Sequence, residues 1–316
     1  MADISSPHDS FFRSVLDDSQ MALDYFRSAL PEHVIGLLDL STLKRVPDSY
    51  VSRELEKTMS DVVYRCQRVD GKGNVAVCLL VEHKSKPDKY TPVQVGGYLF
   101  SGYLQQVKQR HKQLSPIIPI LFYHGKQKWE YWTLNRLFDE LGDELLGFIP
   151  KFEYIYANLR DTPDAVVEAL NNQFLASSLL ILKHYHNKAW LNRNFPKVLL
   201  MALSSGSKEL QQAFLMYSFV QVEFTEERIM EMIKELPLAI KDKVMSTYEM
   251  AVEKGRKEER IKAQRLIEQE RAKAEQERTK AYTEKIRSAA KMKKSGFDNA
   301  MIADILELSI EEVDKL

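Results

Sequence analysis

Two apolar runs rich in β-branched residues, 75–81 and 117–123, predict strands buried on both faces. A third strand-like run, 60–66, is joined to the first by Asp70-Gly71-Lys72-Gly73-Asn74, whose turn chemistry predicts a hairpin centred near Lys72. Helical spacing of Phe11, Phe12, Val15, Leu16, Met21, Leu23, Phe26 and Leu30 predicts an amphipathic helix over 10–30, closed by Pro31. A short helix is expected over 33–40 and a longer one over 94–112. In the latter, Gly96 and Gly97 each cost about 1 kcal/mol of helix propensity, a cost offset if they let the helix approach a sheet closely. Strand, helix, strand is a right-handed crossover, so 75–81 and 117–123 should run parallel; a further strand is expected over 152–157. These elements make an α/β core.

From 163 to 250 the periodicity is helical throughout, over 165–188, 195–203, 209–222 and 226–233. His184 and His186 diverge by about 200° on a helix and read as surface or packing histidines rather than joint metal ligands. Over 249–294 the pattern collapses into charge: 15 Lys or Arg against 9 Glu, with no sustained heptad seam. This predicts a long solvated helix held by i,i+4 pairs such as Glu253–Lys257 and Glu258–Lys262. Past Gly296, Asp298 can cap one short helix and Ser309-Ile310-Glu311-Glu312 is a capping box opening another. The arrangement is helix-turn-helix-like. Glu311, Glu312 and Asp314 would repel phosphate, so docking or self-association suits this module better than reading DNA.

Composition changes this picture little. The 316 residues carry 45 basic and 45 acidic side chains, which removes any global attraction to nucleic acid but leaves room for a local basic groove. Cys66 and Cys78 fall in the two hairpin strands, nearly facing each other if the turn is centred at Lys72, and read as packing thiols. No stretch approaches the roughly 20 apolar residues of a membrane span, and the start of the chain lacks a signal-like apolar region. A soluble, cytoplasmic protein with no membrane partner is expected.

The candidate chemistry lies at the exit of 75–81, where Glu82-His83-Lys84 follows the apolar run. Period-2 geometry sets Glu82 and Lys84 on one face and His83 on the other. With the turn at Lys72, Asp61 falls almost opposite Glu82, at a cross-strand spacing of about 4.5–5.5 Å. Two carboxylates that close repel unless a cation lies between them, and Mg²⁺ is the natural occupant, with Mn²⁺ or Ca²⁺ as alternatives. Asp61 and Glu82 would bind the ion; Lys84 would orient the attacking water and stabilise developing charge. Weaker candidates are Glu54 as an extra acid, Gln94 as a substrate or metal contact, and His83 and His124 as acid–base groups. Taken by itself, an exposed Glu–Lys pair at a strand end is common and contributes only about 0–1 kcal/mol.

The combination Asp61…Glu82-x-Lys84 resembles the PD-(D/E)XK nuclease core. More narrowly, the chain resembles the recombination-promoting nuclease (Rpn) family, also described as YhgA-like putative transposases. The likeness runs through His8-Asp9-Ser10-Phe11-Phe12-Arg13, Leu38-Asp39-Leu40, Ser60-Asp61-Val62-Val63-Tyr64-Arg65, Val81-Glu82-His83-Lys84-Ser85, Pro87-Asp88-Lys89 and Pro119-Ile120-Leu121-Phe122-Tyr123-His124-Gly125. It implies a mixed sheet flanked by helices, DNA as substrate, a role in recombination or mobile-element biology, and the His83 backbone carbonyl as a further metal ligand. Lys84 stands where family members often carry glutamine. The organisation expected is a nuclease-like core over 1–160, a helical region over 161–248, a charged linker helix over 249–287 and a docking module over 288–316 that could pair two copies. The function expected is a Mg²⁺-dependent DNA endonuclease. The competing readings are an inactive nuclease scaffold working through its helical tail and a DNA transposase.

Overall fold

A computed structural model describes residues 7–46, 60–81, 87–138, 141–222 and 224–316. The chain divides into two compact units, Met1–Glu249 and Met250–Leu316, so the expected boundary near 160 falls inside the first.

The first unit opens with two helices where one was expected, α1 (Pro7–Leu16) and α2 (Ser19–Ala29). Asp18 makes the break: its carboxylate accepts from the backbone N–H of Gln20 and Met21, capping a new helix. The short helix α3 (Glu32–Ile35) ends before Leu37, and the rest of the expected 33–40 helix is strand β1 (Leu38–Arg45). Leu38 and Leu40 are buried, and the ladder to the next strand begins there. Long-range pairing has overridden a weak local preference. Where that ladder slips between Asp39 and Lys44, the Thr42 hydroxyl accepts the Gln67 N–H at 2.8 Å.

The remaining strands are β2 (Ser60–Arg68) and β3 (Asn74–Val81), then, after helix α4 (Thr91–Lys108), β4 (Ile117–Tyr123). Helix α5 (Asp143–Leu146) precedes β5 (Ile155–Asn158), which begins later than expected. The five strands lie in chain order. β1, β2 and β3 are antiparallel; β3, β4 and β5 are parallel, as the crossover requires.

Both faces of the sheet are covered, and alternate residues serve each. Val62, Tyr64, Val77, Ile120 and Phe122 join a large core with α1, α2 and the following helices. Val63, Ala76, Leu121 and Tyr123 face a smaller core under α4 with Val95, Tyr98 and Leu99. A Cβ on Gly96 would lie 3.1 Å from the Phe152 ring, whereas one on Gly97 would meet nothing, so only the first glycine serves close packing. The buried Gln106 amide fixes the chain before β4, donating to the Ser115 carbonyl and accepting the Ser115 N–H at 2.7 Å.

Five helices follow: α6 (Asp164–Glu168), α7 (Gln173–His184), α8 (Lys188–Leu203), α9 (Lys208–Gln221) and α10 (Glu226–Glu235). Their buried residues belong to the same core as the sheet. The Asp164 carboxylate ties three of them, accepting from Lys183 Nζ (2.7 Å), the His184 ring (2.9 Å) and Trp190 Nε1 (2.9 Å). His184 therefore has a packing role, as read from its spacing.

Helix α11 (Leu238–Lys294) is continuous, and 252–282 present mostly exposed charged side chains. In the second unit, α12 (Asn299–Leu306) is capped by Asp298 and α13 (Ile310–Asp314) by the expected Ser309–Glu312 capping box. Ala289, Ile302, Ala303 and Val313 form its small core. Among the described residues, no helix is long and apolar enough to cross a membrane.

Candidate active site

The hairpin turn comes earlier than counting from sequence implies. Gln67 pairs with Asn74, the Arg68 N–H donates to the Gly73 carbonyl, and the loop is centred between Asp70 and Gly71. Gly71 and Gly73 take φ values of 69° and 112°, so the turn needs glycine at both positions. The earlier centre moves every cross-strand partner. Asp61 pairs with Leu80 rather than with a residue at 82 or 83, and Cys66 pairs with Val75 while Cys78 pairs with Val63. The two cysteines are thus not opposite each other; Cys66 is a buried free thiol, raised to about 11 by burial and, less, by the Asp39 charge.

Asp61 is the second residue of β2, beside the last turn of the ladder, where Ser60 pairs with Val81. Glu82, His83 and Lys84 lie outside the described residues, as does Glu54. In sequence they directly follow Val81, which also pairs with Phe122 of the parallel strand β4. The carboxyl ends of β3 and β4 therefore share one edge of the sheet, the edge at which open α/β sheets bind ligands. Gln94, weighed as a substrate or metal contact, instead donates to Asp88 at 3.3 Å and helps close the turn that begins α4.

That edge gathers ionisable groups from four segments. His124 follows β4 and is buried. The next residue must be glycine, because a Cβ at 125 would lie 2.5 Å from the Tyr123 ring. The His8 ring, from the first turn of α1, lies 5.5 Å from His124 and 4.1 Å from Tyr185 between ring centroids. His8 Nδ1 and the Tyr217 hydroxyl share a 2.6 Å hydrogen bond. Burial, with smaller contributions from Tyr185 and the Asp9 charge, pushes the Tyr217 hydroxyl far above its usual range and keeps it protonated. Asp9 is only 2% exposed. A carboxylate survives such burial only where polar groups or a cation answer its charge.

Sequence reasoning weighed His124 as a weak acid–base candidate and passed over His8, Asp9, Tyr185 and Tyr217 as site residues. Asp9 carried a usable signal. It falls three residues before Phe12 and seven before Leu16, on the apolar stripe of an amphipathic helix. Tyr217 carried none, being 209 positions from its partner His8. Among the described residues, no three His, Cys, Asp or Glu side chains converge as a metal site.

The family described as "Putative transposase, YhgA-like" matches residues 6–214. The chain belongs to that family. This YhgA-like family member is 28% identical to the inactive recombination-promoting nuclease-like protein RpnE of Escherichia coli K12 over 185 residues, covering 58% of this chain and 60% of RpnE. It is 28% identical to the recombination-promoting nuclease RpnD of E. coli O157:H7 over 239 residues, 73% of this chain and 87% of RpnD. It is also 28% identical to the recombination-promoting nuclease RpnC of E. coli K12, covering 58% of this chain and 60% of RpnC. The chain thus spans about three fifths of two of these relatives. No solved structure matches it significantly.

Proposed function

We propose that this family member is a divalent-metal-dependent DNA endonuclease whose working groups are Asp61, Glu82 and Lys84. The observation that carries the reading is the β2–β3 hairpin, which brings the strand position of Asp61 to the end of β3, immediately before Glu82-His83-Lys84 in the sequence. The names of RpnD and RpnC support nuclease chemistry linked to recombination.

The donor set suits a hard cation: two carboxylates offer the oxygen ligands that Mg²⁺ prefers, with the His83 carbonyl as a third. When bound, Mg²⁺ acidifies a coordinated water and offsets phosphate charge. Asp61 and Glu82 would hold the cation that offsets that charge. Lys84 orients the water and meets the negative charge that grows on the phosphoryl oxygens. The water oxygen forms the new P–O bond, one bridging P–O bond breaks, and the departing oxygen takes a proton.

Supercoiled plasmid incubated with Mg²⁺, and separately with EDTA, tests this. Cutting should need the metal, and Asp61→Ala and Glu82→Ala should each abolish it while circular dichroism stays unchanged. Lys84→Gln should be milder, since glutamine still positions a water. Near wild-type cutting by Asp61→Ala or Glu82→Ala overturns the assignment.

A second reading, an inactive scaffold acting through its tail, is favoured by one observation: RpnE carries "inactive" in its name at the same 28% identity. In both readings residues 288–316 serve as a self-association module. Met301, Ile305 and Ile310 stay exposed there although the small core is filled.

A further inference from the structure

Beside the carboxyl edge of the sheet, the first unit contains a cavity of about 730 Å³, well within the size of ligand sites. Its wall is assembled from four places in the chain: Lys126 after β4, Tyr185 and His186 after α7, Lys188 at the start of α8, and Phe224 and Arg228 around the start of α10.

The lining is cationic in a chain whose net charge is zero. Lys126, Lys188 and Arg228 contribute charge, and among the described residues no carboxylate lines the cavity. Arg228 is held in place by the Asn192 carbonyl at 3.0 Å and also bonds Glu231 on its own helix. Glu223, between two lining positions in the sequence, is outside the described residues. Burial first, then the charge of Lys126 and that of His184, lowers His186 below its usual value. Lys126 therefore stands close enough to His186 for its positive charge to disfavour a proton there, and the same charge favours an anion in the cavity.

The same wall carries aromatic surface. Tyr185 lines the cavity and packs on the opposite cluster, 4.1 Å from His8 and 6.2 Å from His124 between ring centroids. One ring thus borders both the cavity and the sheet edge. Cations that follow a phosphate backbone, interleaved with aromatic faces on which bases stack, are the components of single-strand recognition. A paired base offers no face to such a ring.

We propose that this cavity holds a single strand of nucleic acid, its phosphodiester groups against Lys126, Lys188 and Arg228 and one base against Tyr185. The proposal rests on the nuclease reading only in taking that strand onward to the edge where Asp61 and Glu82 act.

Binding of the full chain to a fluorescein-labelled oligothymidylate is measured in EDTA across a salt series, so that the result does not depend on cutting. A Lys126→Ala/Lys188→Ala variant changes two exposed side chains. It should bind more weakly, with the log–log salt slope reduced by about 1.4, or about 0.7 for each lost phosphate contact. Comparing slopes isolates these two lysines from the basic stretch of α11. Tyr185→Leu should weaken binding by about tenfold or more with the slope kept, because stacking is not electrostatic. An unchanged affinity and slope in the lysine variant overturns the cavity proposal and leaves the nuclease reading standing. The reverse result, a lysine-dependent slope alongside plasmid cutting that ignores Asp61→Ala, overturns the assignment of the cutting site to Asp61 and Glu82 and keeps the cavity. Tighter binding of a duplex, or displacement by ATP at concentrations comparable to the oligonucleotide, reassigns the site and overturns the single-strand proposal.

Discussion

In the unit from Met1 to Glu249 several ionisable side chains sit buried among rings and apolar packing, while in the unit from Met250 to Leu316 the described ones stand largely in solvent. Asp9, His124 and Tyr217 are buried in the first. Glu307 and Glu312, which bond Lys285, Tyr282 and Ser309 in the second, are exposed. The contrast teaches where chemistry can reside. Burial shifts proton affinities strongly and fixes geometry, whereas a solvated helix spends its charges on solubility and local pairing.

Five substitutions can break or sharpen that comparison, and the largest effect is expected in the sheet. Phe122 stacks on Phe12 at 4.3 Å in the main core. Phe122→Ala should cost about 3–5 kcal/mol and unfold the first unit well below the wild-type denaturant midpoint. A loss under about 1 kcal/mol would show that this core is loosely coupled.

Next in size, Ile302→Ala should cost about 2–5 kcal/mol but only within the second unit, whose core has few members. Hydrogen exchange should show protection lost over 285–316 and retained over 60–123. Loss in both places would join the two units thermodynamically.

The third concerns Asp164. Burial works against its charge, but hydrogen bonds from Lys183 and His184 outweigh burial and lower its proton affinity; burial chiefly lowers that of His184. Both folded values are depressed, so in acid the unfolded chain binds more protons than the folded one. The stabilisation is complete above the ordinary histidine value of 6.5, weakens as pH falls below it through His184, and falls again below 3.8 through Asp164. Asp164→Ala should cost about 1–3 kcal/mol at neutral pH by stranding its donors, and should flatten the acid limb near pH 3–4. An unchanged limb would remove Asp164 from that role.

The smallest measurable effect should be Ser309→Ala, at about 1 kcal/mol, because it removes one N-cap. Hydrogen bonds from Tyr282 and Ser309 lower Glu312 to about 2, so the bonds of its carboxylate favour folding above the ordinary 4.5 and are lost as pH falls towards 2. Lys285→Ala, which breaks a pair with exposed Glu307, should leave the melting curve unchanged. A larger change there than in Ser309→Ala would reverse the ranking.

The strands 75–81 and 117–123, their parallel pairing, the solvated character of α11 and both caps of the second unit were legible because each depends on near neighbours: apolar runs, crossover handedness, i,i+4 charge and cap chemistry. The motif Asp61…Glu82-x-Lys84 rested on a turn count and a family resemblance, and Glu82, His83 and Lys84 lie outside the described residues. The break at Asp18 and the conversion of 38–40 from helix to strand were not legible, since one depends on a competing cap and the other on a partner more than twenty residues away. The register that sets Asp61 against Leu80 follows from a turn centred between Asp70 and Gly71, earlier than a residue count places it, with glycines taking positive φ at 71 and 73. The meeting of His8, His124, Tyr185 and Tyr217 belongs to tertiary structure alone. Burying both faces of one sheet brings the ends of four distant segments to a single edge, and no local pattern encodes that convergence.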